Sequence, residues 1–280
     1  MKVLVTGVKG QLGHDVVEHL LRQGITPIGV DKEDFDLTNE YETLYYVTQA
    51  KPDAVIHCAA YTAVDQAESD IERCCRINGQ GTKNLVRAAV QCKSKFLYVS
   101  TDYVFPGTGE DPYEVDDPRG PKNIYGQSKM QGEVAVTSQM TAYFIVRTSW
   151  VYGVNGNNFV RTMLRLGEER NFLNVVDDQI GSPTYSDDLA KLLVDMIQTN
   201  KYGIYHATNE GYCSWAEFAR EIMMRAGLLC EVRGIPTSQY KTPAQRPLNS
   251  RLSKKSLDAA DFARLPHWED ALQRYLNIIR

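Results

Sequence analysis

The sequence has no Cys-x-x-Cys pair, although it carries six cysteines: Cys58, Cys74, Cys75, Cys92, Cys213 and Cys230. No partnering histidine cluster accompanies them, so neither a zinc site nor a redox dithiol is indicated. Cys74-Cys75 falls on a predicted helix and reads as small core filler. There is no surplus of positive charge, since 31 Lys and Arg face 35 Asp and Glu, leaving a net charge of -4. That balance argues against a nucleic acid or an anionic membrane as partner, and an anionic substrate needs a locally basic pocket. No apolar run is long enough to cross a bilayer. The chain opens on the strand Val3-Leu4-Val5 without a stretch for a signal peptide, so a reducing cytoplasm is the expected compartment. Internal repeats and low-complexity tracts are missing as well. What remains is an ordinary globular chain of 280 residues, 43% hydrophobic and 24% charged. Its length suits one large α/β domain, or one domain with a smaller appendage.

Strand and helix patterns alternate from the start. Val3–Val5, Ile25–Val30, Ala54–His57, Phe96–Ser100 and Tyr143–Arg147 read as strands. Between them, Gln11–Arg22, Glu40–Gln49, a long helix Ile71–Val90 and Asn123–Ser138 read as helices. This order predicts an α/β fold with a Rossmann-like, doubly wound parallel sheet. After Trp150 the pattern loosens. Phe159–Gly167, Tyr185–Gln198, Ser214–Ala226 and Trp268–Ile278 are predicted helices, and Ile204–His206 is a short strand. Ser214 is the expected N-cap of its helix, with Glu217 completing a capping box. Ile235–Ser250, with three prolines, reads as loop. Residues 1–150 are therefore assigned to a nucleotide-binding domain that some later segments rejoin. Residues 151–280 are assigned mainly to a smaller, mixed substrate-binding lobe over the sheet's carboxyl edge, too irregular to hold another sheet.

Gly7, Gly10 and Gly13 lie between the first strand and the first helix. Glycine is needed there for a tight turn, for close approach of backbone to a pyrophosphate and for close helix–strand packing. The amino terminus of the helix then offers free N–H groups to the phosphates. The loop Gly7-Val8-Lys9-Gly10-Gln11-Leu12-Gly13 thus predicts a dinucleotide site. Asp31 ends the second strand, where an acid bonds the adenosine ribose and disfavours a 2′-phosphate. Lys32 and Lys9 pull the other way, so the choice between NADPH and NADH stays open. Asp36-Leu37 borders the adenine in this reading.

Tyr125 and Lys129 stand four positions apart on a predicted helix, so they share a face. An ammonium beside the phenol is expected to lower its pKa from about 10 and ready it for proton exchange. Thr101 follows a strand directly, at the edge where open α/β sheets bind ligands. Its hydroxyl, with Tyr125, is placed to hold a substrate oxygen. Ala59, Ala60 and Tyr61 follow another strand at the same edge, and the small pair leaves room for a flat nicotinamide. Substrate diphosphate is expected to meet a cation of the carboxy-terminal half, with Arg246 as the candidate.

These stretches resemble the extended short-chain dehydrogenase/reductase family over the whole chain. Also similar are His57-Cys58-Ala59-Ala60-Tyr61-Thr62-Ala63-Val64-Asp65, Ser100-Thr101-Asp102-Tyr103-Val104-Phe105-Pro106-Gly107 and Arg147-Thr148-Ser149-Trp150-Val151-Tyr152-Gly153. Asp178-Gln179-Ile180-Gly181-Ser182-Pro183-Thr184, Arg246-Pro247 and Asn249-Ser250 complete the match. The resemblance implies reduction of a nucleotide-linked keto-sugar by NADPH or NADH. Tyr125 would be the general acid, Lys129 would bind the nicotinamide ribose and tune Tyr125, and Thr101 would polarise the keto oxygen. Val64, Asp102, Tyr103 and Trp150 look like sugar contacts, and flat aromatic faces suit sugar C–H surfaces. Dehydratases of the family look like Thr-Asp-Glu where this chain has Thr101-Asp102-Tyr103, so elimination lacks its base. Some relatives use magnesium at a dimer contact, but apart from Glu269-Asp270 no ligand set is identifiable, and a homodimer stays open. An epimerase or reductase of another nucleotide-keto-sugar, or a non-catalytic regulatory subunit like that of methionine adenosyltransferase, are the remaining readings.

Overall fold

The computed structural model describes residues 1–280. Its first half alternates β1 (Lys2–Thr6), α1 (Gln11–Arg22), β2 (Thr26–Val30), α2 (Glu40–Ala50), β3 (Ala54–His57), α3 (Ile71–Cys75), α4 (Thr82–Cys92), β4 (Lys95–Thr101), α5 (Ile124–Thr137) and β5 (Tyr143–Thr148). The second half holds α6 (Phe159–Glu169), β6 (Phe172–Val176), α7 (Ser186–Ile197), β7 (Gly203–His206), α8 (Trp215–Ala226), β8 (Glu231–Ile235) and α9 (Trp268–Ile279), with several one-turn or two-residue pieces between them.

Six strands form one parallel sheet in the order β7-β5-β4-β3-β1-β2. The order reverses direction between β1 and β3, the switch point at which such sheets open a ligand crevice. The inner strands are apolar on both faces because helices cover both. Pro27 is tolerated in β2 because that strand pairs on one side only. On one face, Val16 and Leu20 of α1 pack with Leu189 and Leu193 of α7. On the other, Val47, Leu85 and Val86 meet Phe96, Tyr98 and Ile145 of the sheet. A separate core of Tyr152, Val160, Met163, Phe218, Ile222, Leu272 and Tyr275 holds the later elements together.

Two expectations are corrected. The long helix Ile71–Val90 is broken by a wider π turn over Arg76–Gly81. Such bulges aim side chains away from the regular helical direction. Here Asn78 accepts from the Tyr61 N–H (2.8 Å) and donates to the Ser128 hydroxyl (2.9 Å). The carboxy-terminal half also contains a further parallel ladder, β6 with β8, in register Phe172↔Glu231 to Val176↔Ile235. Five-residue strands without turn dipeptides at their ends give little pattern against which to read them. The capping box is present as expected, with Glu217 N–H donating to the Ser214 hydroxyl (3.0 Å) and the Ser214 N–H to the Glu217 carboxylate (2.7 Å).

Candidate active site

A cleft of about 1150 Å³ runs along the carboxyl edge of the sheet. At one end stands the glycine turn. Gly7 has φ +72°, and a Cβ there would meet the Ala59 backbone at 2.8 Å. A Cβ on Gly13 would strike the Gly7 carbonyl. Gly10 begins α1 with no side-chain cap, so the first N–H groups of the helix are left for a ligand. Gly7, Lys9, Gly10, Gln11, Leu12 and Gly13 all line the cleft, as do Asp31, Lys32, Asp36, Leu37, Ala59 and Ala60. The cramped turn and uncapped helix fit a dinucleotide pyrophosphate. The Gln11 amide, however, is spent on the later half, accepting from Gly153 N–H (2.7 Å) and Asn158 Nδ2 (3.0 Å). Asp31 accepts from the Lys9 and Lys32 N–H groups (3.0 and 2.9 Å), and the Lys9 ammonium pairs with Glu33 at 3.0 Å. Lys32 is the cation there without an ion-pair partner. Tyr61 does not line the cleft, because its phenol turns out to Asp70 (3.2 Å).

In the middle of the cleft stand Thr101, Tyr125 and Lys129. Thr101 ends β4, and α5 carries the other two on its inner face. Asn123 caps α5 by accepting the Gly126 N–H (2.8 Å). The expected ammonium–phenol pair is corrected by the side-chain directions. Lys129 Nζ donates to the Val99 carbonyl (2.8 Å) and lies 4.2 Å from the centre of the Tyr98 ring. Burial lowers the lysine to about 7, while Glu133, one turn further along, pulls it back up. Burial likewise drives the Tyr125 phenol above its ordinary value, opposed by the Thr101 hydroxyl. Desolvation, not the lysine, sets the phenol here.

Glu133 is fully buried and fully partnered. Arg147 meets it through Nε (2.8 Å) and Nη2 (2.9 Å), Ser100 donates at 2.7 Å and Arg119 at 3.1 Å. This cluster bolts α5 to β4 and β5 directly behind the cleft.

Val64, Asp102, Tyr103 and Trp150 line the far end. Asp102 is buried, accepts from Ser250 (2.5 Å) and Thr101 (2.9 Å), and is raised to about 6 by that burial. Tyr103 packs edge-on against Tyr125, with centroids 5.5 Å apart. Trp150 has φ +50°, a conformation a bulky residue holds only when its surroundings impose it. One face of its ring is stacked on Trp215 at 3.7 Å, and Trp215 lines the cleft too. Arg246 is not in the cleft wall. Its guanidinium donates to the Tyr103 hydroxyl (3.0 Å) and to Asp65 (2.6 Å), so it braces Tyr103 from behind.

The family model described as RmlD substrate binding domain matches residues 1–280. The chain belongs to this family. It is similar to the spore coat polysaccharide biosynthesis protein SpsK of Bacillus subtilis, 41% identical over 276 residues, covering 99% of this chain and 97% of that one. The dTDP-4-dehydrorhamnose reductase of Aggregatibacter actinomycetemcomitans is 38% identical, with 97% of both chains covered. A crystal structure of the dTDP-4-dehydrorhamnose reductase of Bacillus anthracis in complex with NADP matches with a TM-score of 0.96 at 42% identity, covering 99% of each chain. Within the family fold, sequence reasoning missed Trp215, whose apolar helix face reads as core, and Glu133, whose signal was its place four residues after Lys129. No group of three His, Cys, Asp or Glu side chains is clustered to hold a metal ion. Glu269 and Asp270 lie on the first turn of α9, where Asp270 pairs with Arg274 (2.8 Å). No helix is long and apolar enough to cross a membrane.

Proposed function

We propose that this protein reduces the C4 keto group of dTDP-4-dehydro-L-rhamnose to dTDP-L-rhamnose, using NADPH or NADH. The observation that carries the reading is the meeting of Thr101, Tyr125 and Lys129 in one cleft with the uncapped glycine turn, in a chain that is 38% identical to a named dTDP-4-dehydrorhamnose reductase. Bound nicotinamide supplies the hydride. The phenol of Tyr125, held protonated by its burial, gives its proton to the C4 oxygen as charge develops there. The Thr101 hydroxyl orients that oxygen. Lys129, anchored to the Val99 carbonyl one helical turn along from Tyr125, favours the phenolate through the charge of its ammonium form in the same cleft. Asp102 accepts from a sugar hydroxyl, and the Trp150–Trp215 stack offers an aromatic wall to the deoxysugar.

Tyr103 stands where a dehydratase carries a base. Burial pushes its phenol up to about 12, so it stays neutral and does not drive elimination. Arg246, the candidate for the substrate diphosphate, acts instead through Tyr103. In this reading residues 1–150, joined by α7 and β7, bind the cofactor, and the remaining residues mainly enclose the sugar nucleotide. Six unpaired cysteines suit a reducing cytoplasm.

The test follows NADPH and NADH oxidation with the keto-sugar nucleotide and identifies the product. Tyr125→Phe is expected to lower kcat by about 10²- to 10⁴-fold with cofactor affinity retained. Undiminished turnover would remove Tyr125 from the mechanism, and an inverted sugar without net cofactor oxidation would favour epimerisation.

A further inference from the structure

Four buried side-chain polar atoms in the molecule have no hydrogen-bond partner, and Thr148 Oγ1 is the one on a residue lining the cleft. Thr148 ends β5, where it is paired in register with Thr101 of β4. Registered neighbours on adjacent strands project to the same face, about 4.8 Å apart. Thr148 therefore stands beside the hydroxyl that holds the C4 oxygen in the proposed reaction. Its neighbours are satisfied: Thr101 donates to Asp102 (2.9 Å), and the Ser149 hydroxyl to the Ser182 carbonyl (3.1 Å). Thr148 is 5% exposed, and its oxygen is shut off from water.

A valine has the same shape and carries no unpaired hydroxyl, so folding alone does not account for threonine here. A function that uses the hydroxyl does. The strand order decides which ligand is in reach. The glycine turn follows β1, the alanine pair follows β3, Thr101 ends β4, and Thr148 lies one strand further from the cofactor end.

We propose that Thr148 is a substrate-binding residue whose hydroxyl hydrogen-bonds a sugar hydroxyl of the bound nucleotide-keto-sugar. One χ1 step between staggered wells re-aims a threonine oxygen. Ligand entry thereby pairs a group that the free protein keeps unpaired. The inference rests on the reductase reading above.

Steady-state kinetics of wild type, Thr148→Val and Thr148→Ser, with thermal denaturation of each, test it. Thr148→Val is expected to raise KM for the sugar nucleotide about 10-fold, to leave KM for NADPH within twofold, and to unfold no earlier than wild type. Thr148→Ser, which keeps the hydroxyl and loses the methyl, is expected to recover most of the lost affinity. Wild-type kinetics in the valine variant, equal impairment of both variants, or an effect confined to NADPH would each overturn the inference while the reductase reading stands. A wild type without turnover on the keto-sugar nucleotide overturns that reading, and this inference with it.

Discussion

Asp102 carries the titration that the cleft feels first below neutral pH. Its folded pKa is raised from 3.8 to about 6 by burial, against the pull of Ser250 and Thr101. Between those values the folded state holds a proton that the unfolded state has released, so stability falls as pH rises through this window. Above about 6 the cost is constant, on the order of 3 kcal/mol. Asp102→Asn is therefore expected to raise Tm at pH 7 and to gain much less at pH 4. It should also erase the acid limb of kcat/KM near pH 6, where the wild type loses the carboxylate that, in the proposed reaction, accepts from the sugar. An unchanged pH–rate profile in the variant would show that Asp102 does not bond the substrate in its ionised form. The residue types at this site were legible because Thr101, Tyr125 and Lys129 each follow a recognisable strand end or helix spacing. Their electrostatics were not. The four-residue spacing of Tyr125 and Lys129 promises a depressed phenol, yet the amine turns to the Val99 carbonyl and the desolvation of both groups dominates.

At the level of elements, α5 does two jobs with one face. Tyr125 and Lys129 look into the cleft, and Glu133, one further turn along, fastens the helix to the sheet through Arg147, Ser100 and Arg119. A buried carboxylate with all these partners is costly to break because Arg147, 2% exposed, would be left charged and unpaired. Glu133→Gln is expected to lower unfolding stability by about 3–5 kcal/mol in urea denaturation. Turnover should fall as well, since the same helix carries Tyr125, the proposed proton donor. A variant with wild-type stability would mean that the helix is held elsewhere. The extent of α5 was legible, since the predicted Asn123–Ser138 and the observed Ile124–Thr137 differ by one residue at each end. The π turn at Arg76–Gly81 was not, because its cause is tertiary: Asn78 faces both Tyr61 and Ser128, residues distant in the chain.

For the molecule as a whole, the sheet is completed from the far half of the chain. β7 pairs along β5 from Gly203↔Phe144 to His206↔Arg147, and α7 covers the apolar face of α1. A fragment ending at residue 150 exposes Val16, Leu20 and the open edge of β5. It is expected to lack cooperative thermal unfolding and to aggregate, whereas the full chain unfolds in a defined transition. A soluble, cooperatively folded fragment would show that β1 to β5 suffice.

Local periodicity, glycine spacing and strand–helix alternation carry the strands β1 to β5, the glycine turn and the placing of Thr101, Tyr125 and Lys129 at a strand end and on one helix, because these depend on neighbours a few residues away. Residues brought together across the chain followed other rules. Trp215 against Trp150, Arg246 against Tyr103 and Ser250 against Asp102 join segments 65, 143 and 148 positions apart. No local pattern encodes such pairs, because burial, packing and hydrogen-bond satisfaction select them only once the sheet and its covering lobe have closed.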